Sequence, residues 1–96
     1  MSKSTKYQIT SRQIANARAL GVEIRPSSNP DKKLDVYKGG ELVARIGSAE
    51  HADFDIYLRT KGLAYAQGRR RLYRARNAMT RKVKGTPAYY ADKILW

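Results

Sequence analysis

Arginine is the residue type through which this chain is best equipped to do chemistry. From Tyr57 to Ala91 the sequence has ten Lys or Arg residues and no Asp or Glu. A guanidinium group stays charged at every relevant pH, and its planar donors bind phosphate oxygens in pairs. Charge of one sign held this close together weakens the compact state, and a polyanionic partner is the simplest compensation. The segment therefore predicts contact with nucleic-acid phosphates, although an anionic membrane or an acidic protein surface would also satisfy it.

The charges should lie on a helix that runs from Leu63 to about Arg81. Its apolar residues repeat at three and four and would form a narrow stripe toward the core, made of Tyr65, Gly68, Leu72, Ala75 and Met79. The polar residues on the far side are Gln67, Arg70, Arg74, Asn77 and Arg81. The nucleic-acid-binding set predicted from this helix and its continuation is Arg69, Arg70, Arg71, Arg74, Arg76, Arg81, Lys82 and Lys84. A solvated helix face without a partner is the plain alternative.

Aromatic residues fall into two groups with different expected roles. Tyr65 and Tyr73 are interleaved with the arginines and could stack on bases if they are exposed. Tyr89, Tyr90 and Trp96 belong to an apolar last segment, which favours a place in the core. Their functional alternative is a hydrophobic plug that anchors the domain to a neighbouring subunit.

Catalytic and metal-binding patterns are weak in this chain. Glu50, His51, Asp53 and Asp55 form its only dense cluster of metal-ligand types, and a small metal-dependent nuclease would rest on the three carboxylates alone. Their spacing matches no metal motif, and acidic residues ahead of a helix are what its N-terminus favours. There is no G-x-S-x-G elbow, and the glycines at 39–40 do not fit a phosphate-cradling loop. We expect no enzymatic activity, no metal and no cofactor.

An antiparallel hairpin is the clearest element that could support the arginine helix. Leu34 and Val36 share one face of a strand, and residues 42, 44 and 46 share one face of the next. Gly39 and Gly40 lie between them and tolerate the positive φ angles of a two-residue turn. The sequence predicts an α+β fold, in which a small sheet (hairpin 33–47, with a third strand if residues 22–25 pair with it) packs against two or three helices.

Helix boundaries have local signals elsewhere in the chain. Thr10 or Ser11 can cap a first helix that ends at Gly21. A short helix is expected over Phe54–Leu58, and Gly62 interrupts it. Thr86 followed by proline predicts the start of a last helix. Residues 1–9 are expected to be mobile, and residues 10–96 to form a single domain.

Composition narrows the class of protein. The chain has 96 residues with a net charge of +12, and its 42% hydrophobic content is enough for one small core. It has no cysteine, which excludes disulfides and thiolate chemistry. It has neither an apolar run long enough to cross a membrane nor a secretory signal in its first residues, so we expect it to act inside the cell.

Three segments, LDVYKGGELVARIG, YLRTKGLAYAQGRRRLYRAR and KGTPAYYADKILW, carry a family resemblance. Together they resemble small basic proteins of large nucleocytoplasmic DNA viruses and of some phages, over about residues 20–96. Those proteins pair a D-V-Y-K hairpin with an R-R-x-L-Y helix and a terminal Y-Y-A-D-K-I-L-W segment. Where relatives have Arg-His-Lys-Lys after Leu-Tyr, this chain has residues 74–77, Arg-Ala-Arg-Asn. The resemblance implies a viral setting, in the virion or the infected-cell interior, and no mechanism.

Two functions follow as expectations. The first is non-enzymatic, sequence-independent binding of nucleic acid, with DNA favoured over RNA, through the arginine-rich helix. The second is a structural role in the virion, as a minor capsid or capsid-associated component that contacts acidic capsid subunits or packaged genome. The residues specify neither an oligomeric state nor a base preference.

Overall fold

Three antiparallel strands and four helices make up the structure, a computed structural model that describes residues 7–96. The helices are α1 (Ser11–Ala19), α2 (Phe54–Lys61), α3 (Leu63–Arg76) and α4 (Pro87–Ile94), with a single 3-10 turn at Thr80–Lys82. The strands are β1 (Glu23–Pro26), β2 (Lys32–Lys38) and β3 (Glu41–Ser48), in sheet order β1-β2-β3. The α+β fold is confirmed, and it includes the third strand.

The hairpin between β2 and β3 turns at the two glycines. Lys38 pairs with Glu41, and Gly39 and Gly40 between them have φ angles of 60° and 85°. Positive φ at both central residues matches the right-handed twist of the flanking strands, and glycine adopts it without a Cβ clash. The predicted turn is confirmed.

One expected core residue of β3 is exposed. The β2–β3 register shifts between Val36 and Tyr37, which leaves one extra residue on β3. As a result Ala44 and Ile46 are buried, while Leu42 is 43% exposed. The prediction that Leu42 shares their face is wrong, because an irregularity in the register breaks the alternation that the prediction assumed.

The hydrophobic core lies between the sheet and two helices. Leu34 and Val36 of β2 are fully buried in one cluster with Ile94 and the following Leu95, and α4 contacts β3 of the sheet. α1 contributes Ala17 to the same cluster. Burying a large aliphatic side chain is worth about 1.5–3 kcal/mol, so these few residues supply much of the driving force for folding.

Local capping signals define the ends of α1 and α4. The Thr10 hydroxyl accepts the backbone N–H of Gln13, and the Gln13 side chain accepts the backbone N–H of Thr10. Such a reciprocal capping box satisfies two donors that a helix start leaves unpaired. α4 begins with Thr86 accepting the N–H of Tyr89, and Pro87 takes the first helical position. Both predicted starts are confirmed.

Part of the segment predicted to be mobile, residues 1–9, lies outside the described part of the chain, which begins at residue 7. Tyr7 and Ile9 pack against the core, and the Tyr7 hydroxyl donates to Asp53. The mobility of residues 1–9 stays a prediction.

The helix predicted to reach Arg81 ends earlier. α3 stops at Arg76, Asn77 caps it, and the chain turns before the 3-10 turn at Thr80–Lys82. With 14 residues α3 is the longest helix of residues 7–96. None of the helices in this range combines the length and apolar character that crossing a bilayer requires.

Candidate nucleic-acid interface

α3 presents its apolar stripe to solvent. Tyr65 is 46% and Leu72 51% exposed, and Met79, beyond the end of the helix, is 83% exposed. The one buried residue of α3 is Ala66, which lies on the same side as Arg70. The prediction that the stripe faces the core is therefore wrong: the helix is turned so that arginines face inward.

A buried carboxylate on α4 explains this orientation. Asp92 is 1% exposed, and its Oδ1 accepts a hydrogen bond of 2.9 Å from Nε of Arg74. Nη1 of Arg81 lies 3.5 Å from Oδ2, which has no hydrogen-bond partner in residues 7–96. Leaving a buried charge unpaired costs about 3–5 kcal/mol. Burying Leu72 would return about 1.5–3 kcal/mol, so pairing Asp92 decides which side of α3 turns inward.

Arg70 is also engaged inside the fold. Its Nε donates to the main-chain oxygen of Trp96 at 2.9 Å, and its guanidinium lies 3.9 Å from the centre of the Phe54 ring. The guanidinium of Arg12 lies 4.7 Å from the same ring. Burial, together with the charges of Arg74 and Arg12, lowers the pKa of Arg70. This arginine fastens α3 to the residues that follow α4.

The predicted binding set divides into two groups. Arg70, Arg74 and Arg81 each have a partner in the fold. The other members have no carboxylate partner within residues 7–96, and four of them are exposed while the fifth, Arg69, is half-buried. These five are Arg69, Arg71, Arg76, Lys82 and Lys84. Five of the eight predicted residues thus remain as cations without an internal carboxylate, around α3 and the 3-10 turn.

The two tyrosines expected to stack on bases differ in exposure. Tyr73 is half-buried and stacks on Trp96, with ring centres 4.9 Å apart and planes at 15°. Burial and the charge of Asp92 raise the pKa of Tyr73. Tyr65 is exposed and leans on Tyr57, with ring centres 5.3 Å apart. Tyr65 is therefore the more exposed of the two rings, whereas one face of the Tyr73 ring is already stacked on Trp96.

The proposed plug residues lie largely within the fold. Tyr90 is 6% exposed and belongs to the core. Tyr89 meets it edge-on, with ring centres 5.5 Å apart, and also packs against the core. Trp96 is half-buried against Tyr73. The core interpretation of these aromatics fits their positions, and a buried Tyr90 is not available to a neighbouring subunit.

Asp53 is occupied by structural contacts at the start of α2. Its Oδ1 accepts the N–H of Ile56 and caps the helix, while Nζ of Lys33 donates to Oδ2 at 3.0 Å. Both partners of this ion pair are buried, at 4% and 1% side-chain exposure. Tyr7 donates to the same carboxylate, and burial and this contact raise the pKa of Tyr7.

Asp55 has a different set of partners. It accepts hydrogen bonds from Nε of Arg12 at 2.7 Å and from the hydroxyl of Thr10. Glu50 and His51 are exposed on the loop ahead of α2. Within the range 7–96, no group of three or more His, Asp or Glu side chains could hold a metal ion. The three carboxylates of the alternative nuclease hypothesis are therefore not brought together.

A pocket of about 280 Å³ opens beside α3, and we call it the aromatic pocket. Three aromatic rings line it, those of Tyr57, Tyr73 and Trp96, and two free arginines, Arg69 and Arg76, lie at its α3 side. The other lining residues are Lys33, Gly47, Ser48, His51, Ala52, Asp53, Ala91 and Leu95. The pocket combines planar apolar surfaces with positive charge, which suits a flat ligand that bears an anionic group.

Sequence reasoning missed the aromatic pocket as a site. The sequence indicates Arg69 and Arg76 by their charge alone, Tyr73 as a stacking ring and Trp96 as core or plug. No sequence pattern indicates Tyr57. These residues come from three segments, and their meeting depends on the orientation of α3, which no local pattern records.

A scan against protein-family models found no match, and searches of curated proteins and of solved structures found none either.

Proposed function

We propose that this chain is a non-enzymatic nucleic-acid-binding protein that contacts phosphates independently of base sequence. The contacts come from cations of α3 and of the segment after it: Arg69, Arg71, Arg76, Lys82 and Lys84. The observation that carries the proposal is that these five side chains have no carboxylate partner within residues 7–96. DNA is favoured over RNA as the partner, in the viral setting that the sequence resemblance implies.

The distribution of carboxylates supports an external polyanion. Each of the four buried carboxylates in residues 7–96, Asp35, Asp53, Asp55 and Asp92, is paired with Arg or Lys. Half of the eight acidic residues are therefore paired inside the fold, and most of the net charge of +12 remains on the surface. A surplus of this size favours phosphate-rich partners through counterion release.

The same pairing argues for binding over catalysis. Asp53 caps α2 and neutralises Lys33, and Asp55 neutralises Arg12. A carboxylate with such partners is committed to structure. Its use as a general acid or base would require breaking those contacts.

Salt-dependent binding to duplex DNA tests the proposal. If about five phosphates are neutralised, log K should fall against log salt concentration with a slope of about −4 to −5. Arg69→Gln combined with Arg76→Gln should reduce the magnitude of this slope by about 2. Arg18→Gln, which removes an exposed charge from α1, serves as the control and should change the slope less. A dissociation constant that is insensitive to salt would contradict the proposal.

A second candidate is a structural role in a virus particle, and the outward face of α3 favours it. Tyr65 and Leu72 are exposed on this face, and Arg76 lies one turn beyond Leu72 on the same face. An apolar strip next to a cation suits the acidic surface of a shell subunit. A structural component must occur in purified particles at a fixed ratio to the main shell protein. Its absence from particles would remove this candidate and leave nucleic-acid binding in place.

A further inference from the structure

We propose that the aromatic pocket binds one unpaired nucleotide, with the base against the aromatic rings and the phosphate at Arg69 and Arg76. This inference rests on the proposed function and specifies it: the protein should prefer single-stranded nucleic acid, or strand ends and unpaired positions, to a continuous duplex.

The size and walls of the pocket fit one planar ring system. Its volume of about 280 Å³ is just below the range of about 300–1,000 Å³ that small-molecule sites span. Trp96 stacks on Tyr73, with ring centres 4.9 Å apart, and the ring centre of Tyr57 lies 6.2 Å from that of Trp96 with the planes tilted by 40°. These contacts fix the rings before any ligand arrives. Bases of every type have a π-face, so stacking on such a platform tolerates any base sequence.

The charges of the pocket are placed for a phosphate next to that base. Arg69 and Arg76 are seven residues apart on α3, which is two helical turns and about 10 Å along one side of the helix. Both line the pocket, and neither has a carboxylate partner in residues 7–96. The guanidinium of Arg69 lies 5.5 Å from the centre of the Tyr57 ring, so a cation already adjoins the aromatic surface. A nucleotide presents the same combination of flat ring and anion.

A buried ion pair also lines the pocket. Lys33 is 4% exposed, and its one side-chain hydrogen bond within residues 7–96 goes to Asp53, which lines the pocket as well. The carboxylate of Asp53 offsets the charge of Lys33, so Arg69 and Arg76 are the cations available to a phosphate. His51 also lines the pocket and is exposed. An acidic peptide would satisfy the arginines but would leave the ring surfaces that line the pocket without a planar partner.

Base pairing determines which nucleic acids can use the pocket. In a duplex the faces of each base are covered by its neighbours, and only the edges are accessible in the grooves. A base must leave the stack before its face can meet Tyr57 or Trp96. Phosphate contacts on the outer surface of α3 remain open to duplex and single strand alike. The affinities for single strand and duplex should therefore differ only by the contribution of the pocket.

The fluorescence of Trp96 provides a direct test, because it is the only tryptophan of the chain. The full chain is titrated at constant salt with a short thymidine strand, a duplex of the same length, adenosine monophosphate, inorganic phosphate and polyglutamate. We expect the single strand to quench Trp96 and to bind about tenfold tighter than the duplex, the factor that one stacked base supplies. Adenosine monophosphate should also quench, at higher concentration, and inorganic phosphate should leave the emission unchanged.

Matched variants separate the pocket from general charge. Arg76→Gln and Arg71→Gln remove the same charge from exposed positions of α3, and only Arg76 lines the pocket. We expect Arg76→Gln to reduce the preference for single strand over duplex, and Arg71→Gln to weaken both by the same factor. Equal loss of preference in the two variants would contradict the role of the pocket.

The outcomes distinguish this inference from the proposed function. If single strand and duplex bind equally and Trp96 emission does not change, the pocket inference is wrong while nucleic-acid binding stands. If neither strand binds at low salt but adenosine monophosphate quenches Trp96, the proposed function is wrong and the pocket is a site for a free nucleotide. If only polyglutamate binds and quenches, both are wrong and an acidic protein is the partner.

Discussion

α4 and α3 are held in the fold by opposite kinds of side chain. α4 packs on the sheet through buried apolar residues such as Tyr90 and Ile94. α3 has one buried residue, Ala66, and contacts the rest of the molecule through the stacked ring of Tyr73 and the guanidinium groups of Arg70 and Arg74. The hydrophobic pattern therefore predicts which side of α4 is buried, and it predicts the wrong side for α3. Apolar residues decide how a helix is turned only when no buried charge on a neighbouring element needs a partner from that helix.

The decisive charge belongs to α4 itself. Asp92 sits on the otherwise apolar buried side of α4, where it is 1% exposed. A carboxylate in such a place needs a cation, and the nearest long side chains with that charge are Arg74 and Arg81. One acidic residue of α4 thus orients α3, and with it the free arginines of the aromatic pocket.

The largest expected effect is a difference in stability between two aliphatic truncations, one on each helix. Ile94→Ala on α4 should lower the free energy of unfolding by about 2–5 kcal/mol, because the side chain is fully buried and leaves a cavity. Leu72→Ala on α3 should change it by no more than about 0.5 kcal/mol, because Leu72 is 51% exposed. Urea unfolding followed by circular dichroism measures both.

The apolar pattern alone predicts similar losses for the two variants. A cost of several kcal/mol for Leu72→Ala would mean that the stripe of α3 is buried in solution, and the orientation of α3 described above would then be wrong. A substitution of Leu63, which is 55% exposed at the start of α3, provides a second exposed position for comparison.

The next effect concerns the ionic attachment of α3. Arg74→Leu should destabilise the protein by about 2–3 kcal/mol, because it leaves the buried Asp92 with Arg81 alone, at 3.5 Å. The value is below that of a fully buried pair because the Arg74 side chain is 41% exposed. Arg71→Leu removes the same charge from an exposed position and should have little effect.

Adding Asp92→Leu to Arg74→Leu sharpens this test. Because the double variant no longer buries an unpaired charge, it should recover stability relative to Arg74→Leu alone. If the two substitutions were simply additive, Asp92 and Arg74 would not act as a pair, and another interaction would have to orient α3.

Much of the fold was predictable because its signals are local. The glycine pair at 39–40, the capping residue Thr10 and the Thr86–Pro87 start of α4 each act within four residues of themselves. Such features depend on backbone angles and nearby hydrogen bonds, and distant parts of the chain rarely change them. The prediction fails at Leu42, where a register shift between strands intervenes.

The candidate site was predictable only in its chemistry. The charge pattern indicates a polyanion, but it cannot tell a free arginine from one that neutralises a carboxylate 18 residues away, as Arg74 does. The stacking of Tyr73 on Trp96 likewise joins positions 23 residues apart. Long-range pairing of this kind is decided by tertiary packing, so the aromatic pocket emerges only from the assembled fold.

A smaller effect is expected at high pH and comes from Tyr73. Burial and the charge of Asp92 raise the pKa of Tyr73 above its ordinary value of 10.0. The contribution of the neutral phenol to stability is complete below about pH 10 and is lost as pH rises through the raised pKa. The free energy of unfolding should therefore fall above about pH 10, by at most about 1.4 kcal/mol per pH unit from this group.

Tyr73→Phe isolates that contribution. The pKa of Tyr7 is raised as well, but Tyr7 is present in both proteins and its effect cancels in their difference. The unfolding free energy of the wild type minus that of the variant should decrease as pH rises from about 9 to about 11. A difference that stays constant over this range would show that Tyr73 ionises equally well in the folded and unfolded chain.

The smallest effect, and the only stabilising one, comes from a glycine on the outer side of α3. Gly68 lies within the helix, and a Cβ added there would meet only Nη2 of Arg71, at 3.9 Å. Gly68→Ala should therefore stabilise the protein by about 0.5–1 kcal/mol, since alanine loses less backbone entropy on folding and nothing blocks its methyl group. Gly47→Ala should destabilise the protein, because Gly47 has a φ of 79° and a Cβ added there would lie 2.8 Å from Leu95. If Gly68→Ala also destabilised, α3 would have to pack closely at this position, and its outer side would not be free.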